Sequence, residues 1–465
     1  MDLSKYDRSA LVLIAVQFIN NGMRVASLQS INYLFKDYYK LDPSIAQSWQ
    51  VLMSVPWSLK IFYGLVSDNL VLFGSRKRCF FVIGGLVQFF SLQLLFWGSF
   101  DSVFWIAILA TFGINMTSAF MDLVLDSVII SEQRKDLTNG SENLRTFQMF
   151  FQFTGAIIGF QVAGVLNQYM HPKWAFLINS SFGAFVAFVG TLLNRQIDTE
   201  GIVEMKGFWS ELRRTLREVF RLREMPIVYR VILFLLLDGL MGPSFGEFQF
   251  YYLTDVRKIS KLQIANIEMI TSFASLGGIA LYSVYFRTWE FRNLLYLNYA
   301  VCLLGCLLNL CFIYNVNKSY HIDDYYFMVA MSVLLTPFSQ ALNLLPLMVL
   351  MTKIAPKGIE CTAFAILIGC KNMSLSIIAP MMGSFINDSF VGVTKQQLRL
   401  MGLTSMDFDH MKYDKLYIIT IALSTISTLL IPNFIPYRAD IDKFQLSMIE
   451  DSHHGDHDQA RVGGQ

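Results

Sequence analysis

Runs of about 20 apolar residues recur along this chain from near residue 10 to near residue 435, each long enough to cross a hydrocarbon core of roughly 30 Å. Such runs read as transmembrane helices, and the bilayer must cover much of the chain's surface. The spacing predicts spans at 10–35, 45–66, 79–99, 103–130, 145–168 and 174–194, then at 228–253, 262–286, 293–315, 325–351, 361–387 and 414–435. With 54% apolar and 15% charged residues, the polar surface is too small to wrap a soluble core of this size.

Six spans on either side of one long polar connector read as a repeat. The expected divisions are 1–194, a connector at 195–227, 228–436 and a polar tail at 437–465. Placing the N-terminus in the cytoplasm puts most of the 37 Lys and Arg residues on that side, so both termini are expected there. In the connector, Phe208, Leu212, Leu216, Val219 and Phe220 recur at helical spacing among Arg213, Arg214, Arg217 and Arg221. That pattern reads either as an amphipathic helix on the inner leaflet or as a solvated linker helix.

A net charge of +2, with basic residues scattered through short loops, gives no nucleic-acid surface. The sequence carries no phosphate loop and no nucleophile with a base at a readable spacing, so neither an enzyme nor an ATP-driven pump is expected. The six cysteines lack metal or redox spacing and read as packing residues. His453, His454 and His457 lie among acids in the tail, and no metal or cofactor is assigned.

Charges within a span cost about 2.5 to 3.5 kcal/mol each and normally face a cavity or a partner. Arg24, Lys60 and Lys371 are the cations predicted inside spans. Arg24 shares its helix with Gln17, Asn20 and Asn21, where a guanidinium can hold a carboxylate with two hydrogen bonds or brace a neighbouring helix. Asp122 and Asp126 lie four apart on one helix face, and Lys60 is expected to contact one of them, either as a proton-coupling element or as a fixed brace. Asp238, Glu247, Gln249, Gln340 and Asn343 are the polar positions of the second half, and Trp57 or Tyr251 offers a ring for stacking. Gly155 and Gly159 have the spacing that lets a neighbouring helix approach closely.

The loop Gly64-Leu65-Val66-Ser67-Asp68 followed by Gly74-Ser75-Arg76-Lys77-Arg78 resembles the signature between helices 2 and 3 of the major facilitator superfamily. That resemblance implies a conformational latch in which Asp68 faces a helix N-terminus while Arg76 and Arg78 hold acidic partners, with Glu132, Arg134 and Glu360 as further members. Longer stretches resemble the folate-biopterin transporter family. They are Phe35-Lys36-Asp37, Pro56-Trp57-Ser58-Leu59-Lys60, Asp122-Leu123-Val124-Leu125-Asp126, Pro243 with Tyr251-Tyr252, and Leu345-Pro346 leading to Gly358-Ile359-Glu360, Phe364-Ala365 and Asn372. The chain departs from the family at Ile61, where a proline is common, at Lys357, at Cys361 and at Lys371.

The resemblance implies an all-α membrane protein of twelve transmembrane helices in two six-helix halves. It implies a secondary transporter of a small organic anion such as folate or pterin, with protons as a possible co-ion, working as a monomer in the plasma membrane or an organelle membrane. A non-transporting structural or sensing subunit descended from such a transporter is the competing reading. The topology has a direct test. A cysteine at Ser319 should react with an impermeant reagent from outside and one at Ser141 from the cytoplasm, and cytoplasmic labelling at 319 would break the twelve-span arrangement.

Overall fold

The structure, a computed structural model, describes residues 3–69, 72, 74, 75, 77–98, 104–133, 135, 140–199, 210, 213, 217, 225–354, 360–393, 413–441, 443 and 444. Twelve membrane-crossing elements follow one another. They are α1 (Arg8–Tyr38), α2 (Pro43–Ser58, continued by Lys60–Asn69), α3 (Arg78–Gly98), α4 (Phe104–Gln133), α5 (Gly140–Tyr169) and α6 (Lys173–Thr191), then α7 (Pro226–Val256), α8 (Lys261–Phe286), α9 (Phe291–Ile313), α10 (Asp324–Met351), α11 (Ala365–Val391) and α12 (Tyr413–Phe434). Eleven of these described elements are long and apolar enough to cross a membrane unaided; α2 is not among them, being split after Ser58, behind Pro56, into pieces of 16 and 10 residues. Of the connector, residues 195–199, 210, 213, 217 and 225–227 are described, and the expected apolar stripe of Phe208, Leu212, Leu216, Val219 and Phe220 lies outside the described residues.

The halves are built alike. α1 ends in a π-helical turn (Leu34–Tyr38) and α7 ends in another (Tyr252–Val256). Each is followed by a lysine in the left-handed region, Lys40 at φ 52° and Lys258 at φ 57°, and then by a polar residue, Asp42 or Ser260, opening the next helix. In both places the same backbone bonds close the turn, Leu41 to the Phe35 carbonyl and Ile259 to the Leu253 carbonyl, each at 3.0 Å. The repeat inferred from span count is therefore visible in detail.

Close packing relies on missing side chains. A Cβ on Gly22 would stand 2.2 Å from the Gln152 carbonyl, and one on Gly155 would stand 2.4 Å from the Ile19 carbonyl, so α1 and α5 touch backbone to backbone. Between the halves, α2 packs on α11 and α5 packs on α8. At the face that carries the N-terminus, here the near face, Asp7 caps α1 by accepting from the Ser9 and Ala10 amides at 2.8 and 3.3 Å. Burial pulls the Asp7 carboxyl upward, but bonds from the Ser9 and Asn194 side chains and those two amides outweigh it and hold it at about 2.

The difference from expectation lies in α7. The span reads as continuous, yet the helix stops at Met241, is irregular from Gly242 through Phe245, and restarts at Gly246. Proline cannot donate and glycine weakens a helix, so Gly242-Pro243 is the physical cause.

Backbone contact at Gly155 makes a size-dependent prediction. Gly155→Val should destabilise the purified protein by about 1 to 3 kcal/mol through overpacking. Gly277→Ala, where a Cβ meets nothing within 4 Å, should leave thermal unfolding nearly unchanged. Equal midpoints for the two variants would remove the proposed α1–α5 contact.

Candidate functional site

α1 presents Gln17, Asn20, Asn21 and Arg24 along one stripe, because residues three, four and seven apart share a helix face. Asn20 and Gln88 of α3 exchange amide hydrogen bonds at 2.9 and 2.8 Å, and Gln17 accepts from Asn20 at 3.3 Å, so both serve as wall for this stripe. The Lys60 Nζ lies 2.5 Å from Asp122 Oδ2, with both side chains largely buried, and Asn21 reaches the other Asp122 oxygen at 3.4 Å. Lys60 thus meets Asp122; Asp126 stands one turn further along α4, half-buried.

Arg24 is treated differently. Its NH1 donates to Asn115 Oδ1 at 2.8 Å, its Nε is buried without a hydrogen bond, and its guanidinium lies 4.7 Å from the Trp57 ring centre. No carboxylate contacts it among the described residues; Asp122, the acid whose charge it feels, is held by Lys60. Trp57 donates to the same Asn115 oxygen at 3.2 Å and carries Lys60 5.1 Å from its ring centre. Its ring is therefore engaged by the protein's own cations.

In the second half Asp238 accepts from Tyr299 of α9 and from Ser427 of α12, the latter at 3.4 Å, a network inside that half. Glu247, 5% exposed, accepts from Gln50 at 2.6 Å through one oxygen, while its other oxygen is buried with no hydrogen bond. Tyr251 is fully buried and donates to the Leu41 carbonyl at 2.8 Å, so it seals the halves and presents no open ring face. Gln249 lines a small recess with Tyr252, Phe312 and Tyr413 inside its own half, away from the cleft between the halves. Asn343 is within 3.4 Å of the Lys371 ammonium, and the next residue, Asn372, donates to the Trp57 carbonyl at 3.1 Å across the halves. The Gln340 side chain lies outside the described residues.

The far face is closed by contacts that the sequence did not single out as pairs. Lys36 of α1 meets Asp255 of α7 at 2.6 Å, and Asp37 of α1 meets Lys261 of α8 at 3.0 Å. Gln47 donates to the Ser244 carbonyl at 3.0 Å and to the Pro380 carbonyl at 2.6 Å, and Ser44 donates to Asp388 at 2.7 Å. The signal for Gln47 and Gln50 was present as two amides three apart in an apolar helix.

On the near face, Arg76 and Arg134 and the side chains of Asp68 and Glu360 lie outside the described residues. Arg78 is described: it pairs with Asp198 at 4.0 Å and donates to the Leu193 carbonyl. Asp198 also accepts from the Lys77 and Arg78 amides, both at 2.8 Å, so it caps the N-terminus of α3. Asp198, in the short helix after α6, carries no sequence signal for this task. Glu132 accepts from the Asp7 amide at 2.8 Å and from Lys135 at 2.7 Å, joining the ends of α1 and α4 within the first half.

The model of the BT1 family matches residues 21–447. Folate transporter 1 of Plasmodium falciparum (isolate 3D7) is 26% identical over 394 residues, covering 84% of this chain and 73% of that protein. The folate-biopterin transporter of Synechocystis sp. is 24% identical over 389 residues, covering 83% and 76%. Among solved structures, the D-xylose-proton symporter superposes with a TM-score of 0.65 at 14% identity, covering 93% of this chain and 98% of that one. The nucleoside transporter NupG gives 0.63 at 10% identity, covering 95% and 99%. At such identities the likeness shows the fold, that of major facilitator transporters.

The far-face seam is testable by charge exchange. Lys36→Asp should open it, raising the labelling rate of a cysteine at Ser44 roughly fivefold, about 1 kcal/mol for a partly buried pair. The double variant Lys36→Asp with Asp255→Lys should return the rate toward wild type. An unaltered rate in the single variant would remove this pair from the seam.

Proposed function

Because the chain belongs to the BT1 family, the folate-biopterin transporters, we propose that it moves a folate- or pterin-like organic anion across a membrane by alternating access. The observation that carries this reading is Arg24: a charge deep in the first half that contacts an amide oxygen and an indole but, among the described residues, no acid. A buried cation of this kind is costly until an anion arrives, and a guanidinium meets a carboxylate with two parallel bonds. The named functions of the relatives, folate and folate-biopterin transport, agree with such a cargo.

The excess of Lys and Arg in the near-face loops supports a cytoplasmic position for that face and for both termini. The structure is then closed toward the outside, with Lys36–Asp255 and Asp37–Lys261 in the outer seam. The polypeptide works as a monomer in the bilayer. The Lys60–Asp122 pair supplies the coupling step. A proton on Asp122 cancels its attraction for Lys60, and the freed ammonium, over the same indole as Arg24, changes the charge that the cargo meets.

Uptake of labelled folate and biopterin into proteoliposomes, with and without a pH gradient, tests both parts. Arg24→Gln should weaken folate affinity by roughly 10- to 100-fold, matching about 1.5 to 3 kcal/mol for a charge-assisted bond. Asp122→Asn should abolish gradient-driven accumulation while sparing exchange of loaded carrier. Full accumulation in Asp122→Asn would leave the pair as a brace.

A further inference from the structure

Four of the acids along the spans are already engaged: Asp122 by Lys60, Asp238 by Tyr299 and Ser427, Glu247 by Gln50 and Asp255 by Lys36. Glu268 of α8 is not. It stands seven residues in from Lys261, about 10 Å along the helix axis. Among the described residues no hydrogen bond, ion pair or charged neighbour meets its carboxylate, although it lies deep within the protein.

The face it occupies is set by its neighbours. Leu262 and Ala265 pack on Gly164 of α5, and Asn266 and Met269 meet Gln161 of the same helix. Ile264 and Ile267 point into the core of the second half. At about 100° per residue, Glu268 and Ser272 fall on one edge between these two faces. The opposite edge carries Ile270, Ala274 and Gly277, as a lipid-facing edge should. Ile264, Ala265, Ser272 and Ser275 are buried, yet Glu268 between them is exposed. A side chain that is deep, flanked by buried residues and still open to solvent-sized space lines an internal cleft.

Resting on the cargo reading above, we propose that Glu268 is the acceptor pole of the cargo site, receiving the adjacent N–H donors of a flat 2-aminopyrimidinone edge such as that of a pterin ring. A carboxylate is acceptor-only, and its two oxygens match two neighbouring N–H groups as they match an arginine fork. Arg24 in the first half takes the acid, and Glu268 in the second takes the ring. A cargo with both ends then ties the two halves together, which neither end does alone. A site built around such a pairing also rejects analogues that lack it, because the acceptor is left unmet.

Two halves of the cargo separate the two poles. Competition against labelled folate on the purified, full-length protein in nanodiscs uses biopterin, which has the ring and no acid, and p-aminobenzoylglutamate, which has the acid and no pterin. Glu268→Gln should weaken biopterin at least tenfold and leave p-aminobenzoylglutamate within about twofold; Arg24→Gln should do the reverse. A monodisperse Glu268→Gln protein with wild-type affinity for biopterin overturns the assignment, including the case where only the pH dependence of uptake is lost and Glu268 is a proton carrier. Wild-type protein that binds none of the three compounds overturns the cargo reading and this assignment with it.

Discussion

A backbone carbonyl inside a bilayer has no water to bond, so every interruption of a helix must be answered by another part of the protein. The interruption of α7 at Gly242-Pro243 is where this chain meets that constraint. Its Ser244 carbonyl is answered by Gln47 from the other half, and its Ser244 amide is answered by the Ala379 carbonyl of α11 at 2.9 Å. Gly383 makes room for this arrangement, since a Cβ there would stand 2.0 Å from the same Ser244 carbonyl. Breaking the helix and closing the far face are therefore one interaction. Separation of α2 from α7 leaves a carbonyl unmet at about 1 to 3 kcal/mol unless water follows, so the outer cleft must hydrate as it opens.

The same constraint sorts the charges. Lys60 has Asp122 at 2.5 Å, and the pair is neutral as a unit. Lys36 and Lys261 have Asp255 and Asp37. Among the described residues Arg24 and Glu268 have no opposite charge in contact, and they belong to different halves. Lys371 likewise meets only an amide oxygen, that of Asn343 at 3.4 Å. Charges met by a partner are neutral at rest, whereas Arg24 and Glu268 can take up a group that arrives from outside. This division follows from partners rather than from residue type.

Span length and spacing were legible because a hydrocarbon core of fixed thickness imposes them on any sequence. The near-contact of Gly155 with α1 and the Lys60–Asp122 pair were legible for similar reasons, small residues at a fixed interval and opposite charges in neighbouring spans. The α7 break was not, although Gly242 and Pro243 stood in plain view, because apolar residues on both sides keep the local hydropathy of a continuous span. Lys36 with Asp255 is a pairing between chain segments far apart, and nothing local in either segment encodes the other. Asp198 caps α3 from a short helix whose position depends on α6. Trp57, Tyr251 and Gln249 were judged by residue type alone, and packing decided which face of each was open.

The repeat gives the far-face seam its form. The turn that ends α1 and the turn that ends α7 share geometry, and Asp37 and Asp255 occupy equivalent positions in them. Each aspartate is met by a lysine of the other half, Asp37 by Lys261 and Asp255 by Lys36. Within its own turn, Asp37 has Lys36 at only 3.8 Å, against 2.6 Å for Lys36 to Asp255. When the halves part, Lys36 has a fallback acid beside it and water to solvate the rest, so the open state is not left with stranded charges. The cost of opening is thereby kept within reach of what a bound cargo supplies, and a seam built from pairs internal to each half would have nothing to hold it shut.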